Sequence, residues 1–435
     1  MKAGSAAELV RNIEAAVGSG ALAPGERLPS VRRLASEVGL SPVTVAAGLS
    51  ELRRRGVVVT EQRRGTRIGQ APPIGSSRTA LPVPAGARDL SRGNPDPALL
   101  PDLMGALSEL ELPARLYGEP AALPELTALA GEQLRADGIP SESLCVVSGA
   151  LDGIERVLDA HMRPGDRVAV ENPGYAALFD LLRARGLLLE SVGVDERGMR
   201  PDELRRALAS GASAAIITPR GQNPTGAVLD DTRARELQAV LARAPRTLVI
   251  EDDHLGLLGG SELHTTVAGL SRWAATRSVS KALGPDLRLA VLAGDPETLA
   301  RVEGRQRCGP GWVSHILQRL VLSLWRDPAV QELISRASAT YAERRSGFLG
   351  CLRDLGMEAS GASGLNVWVP VGEESGAVGA LLQRGWVVAP GTPYRLPGSR
   401  PAIRVTIATL GAPEGALLAA DLADVLAEGG ISRSG

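Results

Sequence analysis

Thr247-Leu-Val-Ile-Glu-Asp-Asp253 is a short, very apolar run closed by three carboxylates, and Ser278-Val-Ser-Lys281 follows it. Continuous apolar runs of this length mark strands buried on both faces. Carboxylates at the end of such a strand leave water and need partners. Similar runs recur at Cys145-Val-Val147, Arg167-Val-Ala-Val170, Leu187-Leu-Leu189, Ala214-Ala-Ile-Ile217 and Leu289-Ala-Val-Leu292. Helical patterns lie between them, for example over 150–162, 175–185 and 201–209. Strands alternating with helices predict an α/β layered domain with a mostly parallel sheet. Past residue 340 the order is helix, strand (Leu365-Asn-Val-Trp-Val369), helix, strand (Ile403-Arg-Val-Thr-Ile407), helix. That predicts a smaller α+β lobe.

Lys281 stands out by composition. The chain has two lysines, Lys2 and Lys281, and the other 46 of its 48 basic side chains are arginine. Guanidinium replaces ammonium wherever charge alone is needed. It stays protonated, however, and cannot form an imine. The internal lysine is therefore a candidate for chemistry, and the alternative is a residual surface lysine at a strand end.

The 435 residues suggest two or three domains, and 44% hydrophobic content is enough for a sizeable core. Aromatics are only 3%, so that core is built mainly of Ala, Leu and Val. Cys145, Cys308 and Cys351 are odd in number and far apart, which gives neither a disulfide framework nor a zinc spacing, and no metal is expected. No apolar run reaches membrane length and no secretory segment opens the chain, so a reducing cytoplasm is the expected compartment.

Charge divides near residue 69. Residues 1–69 carry eleven basic against six acidic side chains, while the remainder is net acidic. A small basic module ahead of an acidic one points to nucleic-acid contact at the N-terminus, against the plain alternative of a solvated charged surface. Leu9, Ile13, Ala16 and Val17 form a helical stripe, and Gly20 to Pro29 is a turn-rich connector. Ser30 caps a helix reaching Val38, which Gly39 ends. Ser41-Pro42 reopens a helix with Val45, Leu49 and Leu52 inward. Two short helices across a Gly-centred turn make a helix-turn-helix. Val57 to Thr60 reads as a strand, Arg63-Arg64-Gly65-Thr66-Arg67 as a basic hairpin wing. Residues 70–88 hold four prolines and read as an extended, semi-stiff linker.

Residues 7–69, with their Gly-x-Leu-x-Pro-Gly-Glu-Arg-Leu-Pro-Ser-x-Arg stretch, resemble the winged helix-turn-helix of the GntR family. The resemblance implies double-stranded operator DNA as partner. It implies a DNA contact from Arg32, Ser41 and Thr44 at the start of the recognition helix, and a wing tip at Gly65. Phosphate contacts from Arg33, Arg53 and Arg64 are compatible with it, and the alternative for each is a solvated arginine. Where the family often has Arg just after the helix cap, this chain has Pro42, so the base contact made there differs.

Further motifs fall at strand ends: Ser148-Gly149-Ala150, Asn172-Pro173-Gly174-Tyr175, Gln222-Asn223-Pro224-Thr225-Gly226, Glu251-Asp252-Asp253, and Ser278-Val-Ser-Lys281 with Arg288. Singly, each has a bland reading as a turn or a helix cap. In this order they resemble the large domain of fold type I pyridoxal phosphate enzymes, the aminotransferase class I and II family. With the winged helix in front, residues 7–428 resemble the MocR branch of GntR regulators. The implied fold is α/β: an N-terminal winged helix-turn-helix (1–69), a linker (70–88), and a fold type I aminotransferase-like domain (89–435) whose small lobe starts near 340.

The resemblance implies pyridoxal phosphate as cofactor. Lys281 would be the amine that joins its aldehyde, and Asp252 the partner of the pyridinium nitrogen. Asn223 would hydrogen-bond the 3′-oxygen and Tyr175 would stack on the ring. Gly149, Ala150, Ser278 and Arg288 would hold the phosphate. Tyr117 matches the tyrosine that reaches the partner subunit's phosphate, which implies a homodimer. Arg404 matches the fork that binds an amino acid carboxylate, and Asn94-Pro95 lies on the substrate loop.

Departures cluster around the substrate. His254 stands where the family usually has a tyrosine on the 3′-oxygen, and an imidazole there is expected to titrate near neutral pH. The polar stretch after it is replaced by Leu255-Gly-Leu-Leu-Gly-Gly260. Two functions follow. One is a transcriptional regulator in which pyridoxal phosphate, alone or with an amino acid or amine, biases a dimer between DNA-binding arrangements. The other is an aminotransferase with an appended DNA-binding module. Residues 1–69 and the drift around His254 favour the first.

Overall fold

The computed structural model describes residues 4–18, 21–23, 25–54, 57–61, 65–69 and 83–431. The N-terminal module contains α1 (Ala6–Gly18), α2 (Val31–Val38), α3 (Pro42–Arg54), β1 (Val58–Glu61) and β2 (Gly65–Ile68). Ser30 Oγ caps α2 by accepting from the Arg33 amide, and Gly39 closes it at φ 79°, a left-handed conformation that costs glycine little. Thr44 N donates to Ser41 Oγ at 3.1 Å, which is the N-cap that starts α3. Leu9, Ile13, Leu34, Val38, Val45, Leu49, Leu52, Val58 and Ile68 make one small core.

β1 and β2 pair antiparallel with Val58 opposite Ile68, as the hairpin reading requires. The connector does more than was expected of it. Leu28 N donates to Thr66 O, and Ile68 N to Glu26 O, so residues 26–28 line the edge of the wing. Pairing that edge satisfies backbone groups that a two-stranded ribbon leaves open.

The second domain follows with β3 (Arg88–Asp89), β4 (Leu144–Val147), β5 (Arg167–Asn172), β6 (Leu188–Asp195), β7 (Gly198–Met199), β8 (Ala212–Ile217), β9 (Leu248–Asp253), β10 (Trp273–Ser278), β11 (Ala290–Gly294), β12 (Asn366–Pro370), β13 (Trp386–Val387), β14 (Ala389–Pro390) and β15 (Ala402–Thr406). The main sheet is eight-stranded, in the order β4-β11-β10-β9-β8-β5-β6-β7. β8, β9 and β10 run parallel, and β11 runs against both β10 and β4. β8 to β11 are buried almost throughout, which is why β8, β9 and β11 read as apolar runs, whereas Thr276, Arg277 and Ser278 hide β10 from such a reading.

Three small-lobe strands (β12, β15, β14) form a separate sheet, and β13 pairs with β3. A 27-residue helix, Pro328–Asp354, links the lobes. The helix read past 340 is the second half of this element, whose start at Pro328 was not read, and the two-residue strands β13 and β14 were not read either. No described helix is long and apolar enough to cross a membrane.

Candidate functional site

β4, β5, β8, β9 and β10 each end where a motif loop begins. Ligands of open α/β sheets bind outside the carboxyl ends of such strands. The strand pairings then decide which loops meet.

Ala290 pairs with Val147, so the residues before β11 lie beside those after β4. This brings Arg288 over Gly149. Gly149 has φ 99°, and a Cβ placed there would lie 2.7 Å from Arg288 Nη2. The glycine lets the guanidinium approach the backbone at the start of the helix Ala150–His161. That start, with Ala150 as its first residue, adds backbone N–H groups and a positive dipole end. Ser148 N is taken by Asp152 Oδ2 at 2.8 Å. Ser278 is buried, and its hydroxyl accepts from the Ser280 amide at 3.2 Å, fixing the turn that carries Lys281.

The floor of the site is built from buried carboxylates. Asp252 is buried opposite Thr276, whose hydroxyl lies 3.2 Å from its Oδ1. Burial pushes its carboxyl up to about 7, and the neighbouring Asp253 pushes the same way. A carboxylate so placed fits a cationic ring nitrogen, whose charge would restore its ionised form. Asp253, by contrast, is held down at about 2: Arg220 Nε and Nη2 lie 2.9 and 3.0 Å from its oxygens, and Arg277 Nε 2.9 Å. Arg220 also donates to the carbonyls of Gly256 and Ser261, which ties the 219–223 loop to β9. Glu171 is buried too, pushed up to about 7 by burial, and accepts from Thr218 N and Gln222 Nε2. The sequence marked the strand-end carboxylates as needing partners but did not supply them: Arg220 and Glu171 look there like ordinary surface charges.

The folded-state pKa of Asp252 lies above its ordinary value, so its ionisation opposes folding. Stability is full below about 4 and declines as pH rises through about 7. Asp252→Asn is therefore expected to raise the Tm of the cofactor-free protein at pH 8 by about 3 °C or more, and to leave it unchanged near pH 4. Equal Tm shifts at both pH values would contradict this placement.

Lys281 Nζ donates to Gly93 O at 2.5 Å. Gly93 in turn lies against Arg404, which is buried. Arg404 Nη1 donates to Asn223 Oδ1 at 3.1 Å, and Nη2 donates to Ser91 O. Lys281, the 91–94 loop, Arg404 and Asn223 are thus contiguous. Tyr394, unforeseen, lies with its ring 4.6 Å from the Arg404 guanidinium carbon and edge-on to Trp368. Its backbone carbonyl accepts from Gly174 N at 2.8 Å, linking the Tyr175 loop to the Arg404 side. Tyr175 itself is half-buried at the end of β5.

His254 departs from expectation. Burial and the Lys281 ammonium lower its pKa to about 4, with Asp253 opposing. That direction favours the neutral ring at physiological pH, against the near-neutral titration expected of an imidazole there. Tyr117 is 93% exposed and meets Trp312 edge-on at 5.6 Å, outside the cluster formed by the other residues of its own chain.

In the N-terminal module Arg32 is exposed on α2, and Arg33 is exposed but paired to Glu37 at 2.8 Å. Ser41 and Thr44 hydroxyls lie 2.8 Å from each other. Gly65 has φ 85° and packs near the Arg27 guanidinium. Arg64 lies outside the described residues.

Comparison with known proteins agrees with these two parts. The aminotransferase class I and II family matches residues 88–419, and the bacterial regulatory proteins of the gntR family match residues 5–68. The chain belongs to the MocR-type regulators, which join these two modules, and it is a DNA-binding regulator. It is 40% identical over 97% of its length to the vitamin B6 salvage pathway transcriptional repressor PtsJ of Salmonella typhimurium, covering 98% of that protein. It is 30% identical to the pyridoxine biosynthesis transcriptional regulator PdxR of Corynebacterium glutamicum, across 80% of this chain and 79% of that one. The fold is shared with the α-aminoadipate aminotransferase LysN of Thermus thermophilus (TM-score 0.70, 23% identity, covering 79% of this chain and 93% of that one).

Proposed function

We propose that this chain is a homodimeric, cytoplasmic transcriptional regulator that binds pyridoxal phosphate and adjusts its hold on an operator accordingly. Residues 1–69 contact DNA, 70–88 link, and 89–435 sense. The observation that carries this reading is the guanidinium of Arg288 set over Gly149 at a helix start, in the domain that also carries the buried Asp252 and the half-buried Lys281. These are a phosphate cradle, a partner for a ring nitrogen and an amine.

Pyridoxal phosphate, when bound, supplies an aldehyde that condenses with amines and an electron-withdrawing ring. The chain's own residues do the rest. Lys281 presents the amine. Asp252 accepts a hydrogen bond at the ring nitrogen and holds its proton. Asn223 and His254 would hold the 3′-oxygen, and Tyr175 would cover the ring. Gly149, Ala150, Ser278 and Arg288 take the phosphate, with Tyr117 reaching the site of the partner subunit. Arg404, held by Asn223 and Tyr394, takes a carboxylate. An amino acid or amine held beside Lys281 and Arg404 would be the second class of effector. The intact Arg404 fork also favours slow transamination as a side activity.

Two related regulators are named for vitamin B6 supply, which favours the cofactor itself as the signal. The test is footprinting on the DNA upstream of the protein's own gene. Wild type should protect a defined site, and Arg32→Ala should weaken that protection about tenfold. No protected site, or equal protection by both proteins, would reject the operator reading.

A further inference from the structure

Pro42, Val43, Ala46 and Ala47 are exposed on α3, the second helix of the helix-turn-helix, and Val43 is 80% exposed. Val45, Gly48, Leu49 and Leu52 point into the core. The two hydroxyls at the start of this helix serve the cap: Ser41 Oγ accepts from Thr44 N and lies 2.8 Å from Thr44 Oγ1. The outward face over residues 42–47 therefore carries no amide, guanidinium or carboxylate to read the donor and acceptor pattern of base edges. It carries methyl groups.

Isolated surface valines are ordinary. Here four small apolar residues share the first turns of the helix that this motif places in the major groove. Exposed Arg32, Arg33 and Arg53 nearby supply attraction to phosphates, which positions the module without reading sequence. The apolar feature that the major groove offers is the C5-methyl group of thymine.

We propose that Val43 is a base-specificity residue that recognises thymine through its C5-methyl group. The inference goes beyond the operator reading and rests on it. An operator built for this helix has a thymine facing Val43 in each half-site, and discrimination there depends on apolar contact rather than hydrogen bonds.

Full-length protein is used to enrich sites from a random double-stranded pool. The enriched site is then remade with deoxyuridine in place of thymidine, one position at a time. Loss of one buried methyl contact is expected to weaken wild-type binding about fourfold at one thymine per half-site, and little elsewhere. Val43→Ala, whose side chain supports no core contact, is expected to keep its Tm and to bind the thymidine and deoxyuridine sites alike at that position. An enriched site with no deoxyuridine-sensitive thymine would overturn the inference while leaving the operator reading intact. So would a Val43→Ala protein that keeps the fourfold penalty. A pool with no enriched sequence would reject both.

Discussion

Lys281→Ala gives a folded protein that no longer acquires visible absorbance when pyridoxal phosphate is added. The effect is close to all-or-none, because alanine has no amine and no other described lysine exists to replace it. Fold retention follows from the position: Lys281 is half-buried and its amine meets the Gly93 carbonyl, which water can serve once the side chain is removed. Absorbance, far-UV dichroism and retention of the cofactor through gel filtration check the three parts separately. A variant with wild-type absorbance would remove Lys281 from the site. A variant that fails to fold is distinguished by its dichroism, and Lys281→Arg, which keeps charge and bulk but not the nucleophile, then carries the same test.

Arg220→Met is expected to lower stability by about 3–5 kcal/mol, because it strips one of two guanidinium partners from a buried carboxylate. The Arg220 and Asp253 side chains are 7% and 2% exposed. Arg277 remains 2.9 Å from Asp253 but is shared with Asp137 at 2.5 Å. The Gly256 and Ser261 carbonyls lose their donors at the same time. Cofactor affinity should fall too, since Arg220 precedes the Gln222-Asn223 turn. Pairing Arg220→Met with Asp253→Asn should recover part of the loss by removing the stranded charge. Urea unfolding of the cofactor-free protein measures both variants. A cost below about 1 kcal/mol would mean that the pair is hydrated in solution.

Much of the fold was legible because its signals are local. β8, β9 and β11 announce themselves by apolar runs, and α2 and α3 by Ser30, Gly39, Ser41 and Pro42 at their ends. Lys281 was legible for an unusual reason: replacement of nearly every other lysine by arginine left chemistry as the reason to keep it. The Arg404 surroundings were not. Tyr394 reaches the guanidinium because buried Glu374 accepts from Thr392 and Ala402 and so fixes the 391–396 loop. That placement depends on three segments far apart in the chain, and no spacing encodes it. The protonation of His254 was misjudged for a similar reason. An imidazole alone titrates near neutrality, but burial and a neighbouring ammonium exist only in the folded chain. The pairing of Arg220 with Asp253 brings together a loop arginine and the second of two strand-end aspartates, which sequence alone leaves interchangeable with surface charges.

The central claim is that occupancy of the Lys281 site changes the grip on DNA. The direct measurement is the Kd for the protected upstream site with and without pyridoxal phosphate, for wild type and for Lys281→Ala at the same salt concentration. The account predicts a change of about fivefold or more in wild type and none in Lys281→Ala. An unchanged wild-type Kd, or an equal shift in both proteins, would contradict it.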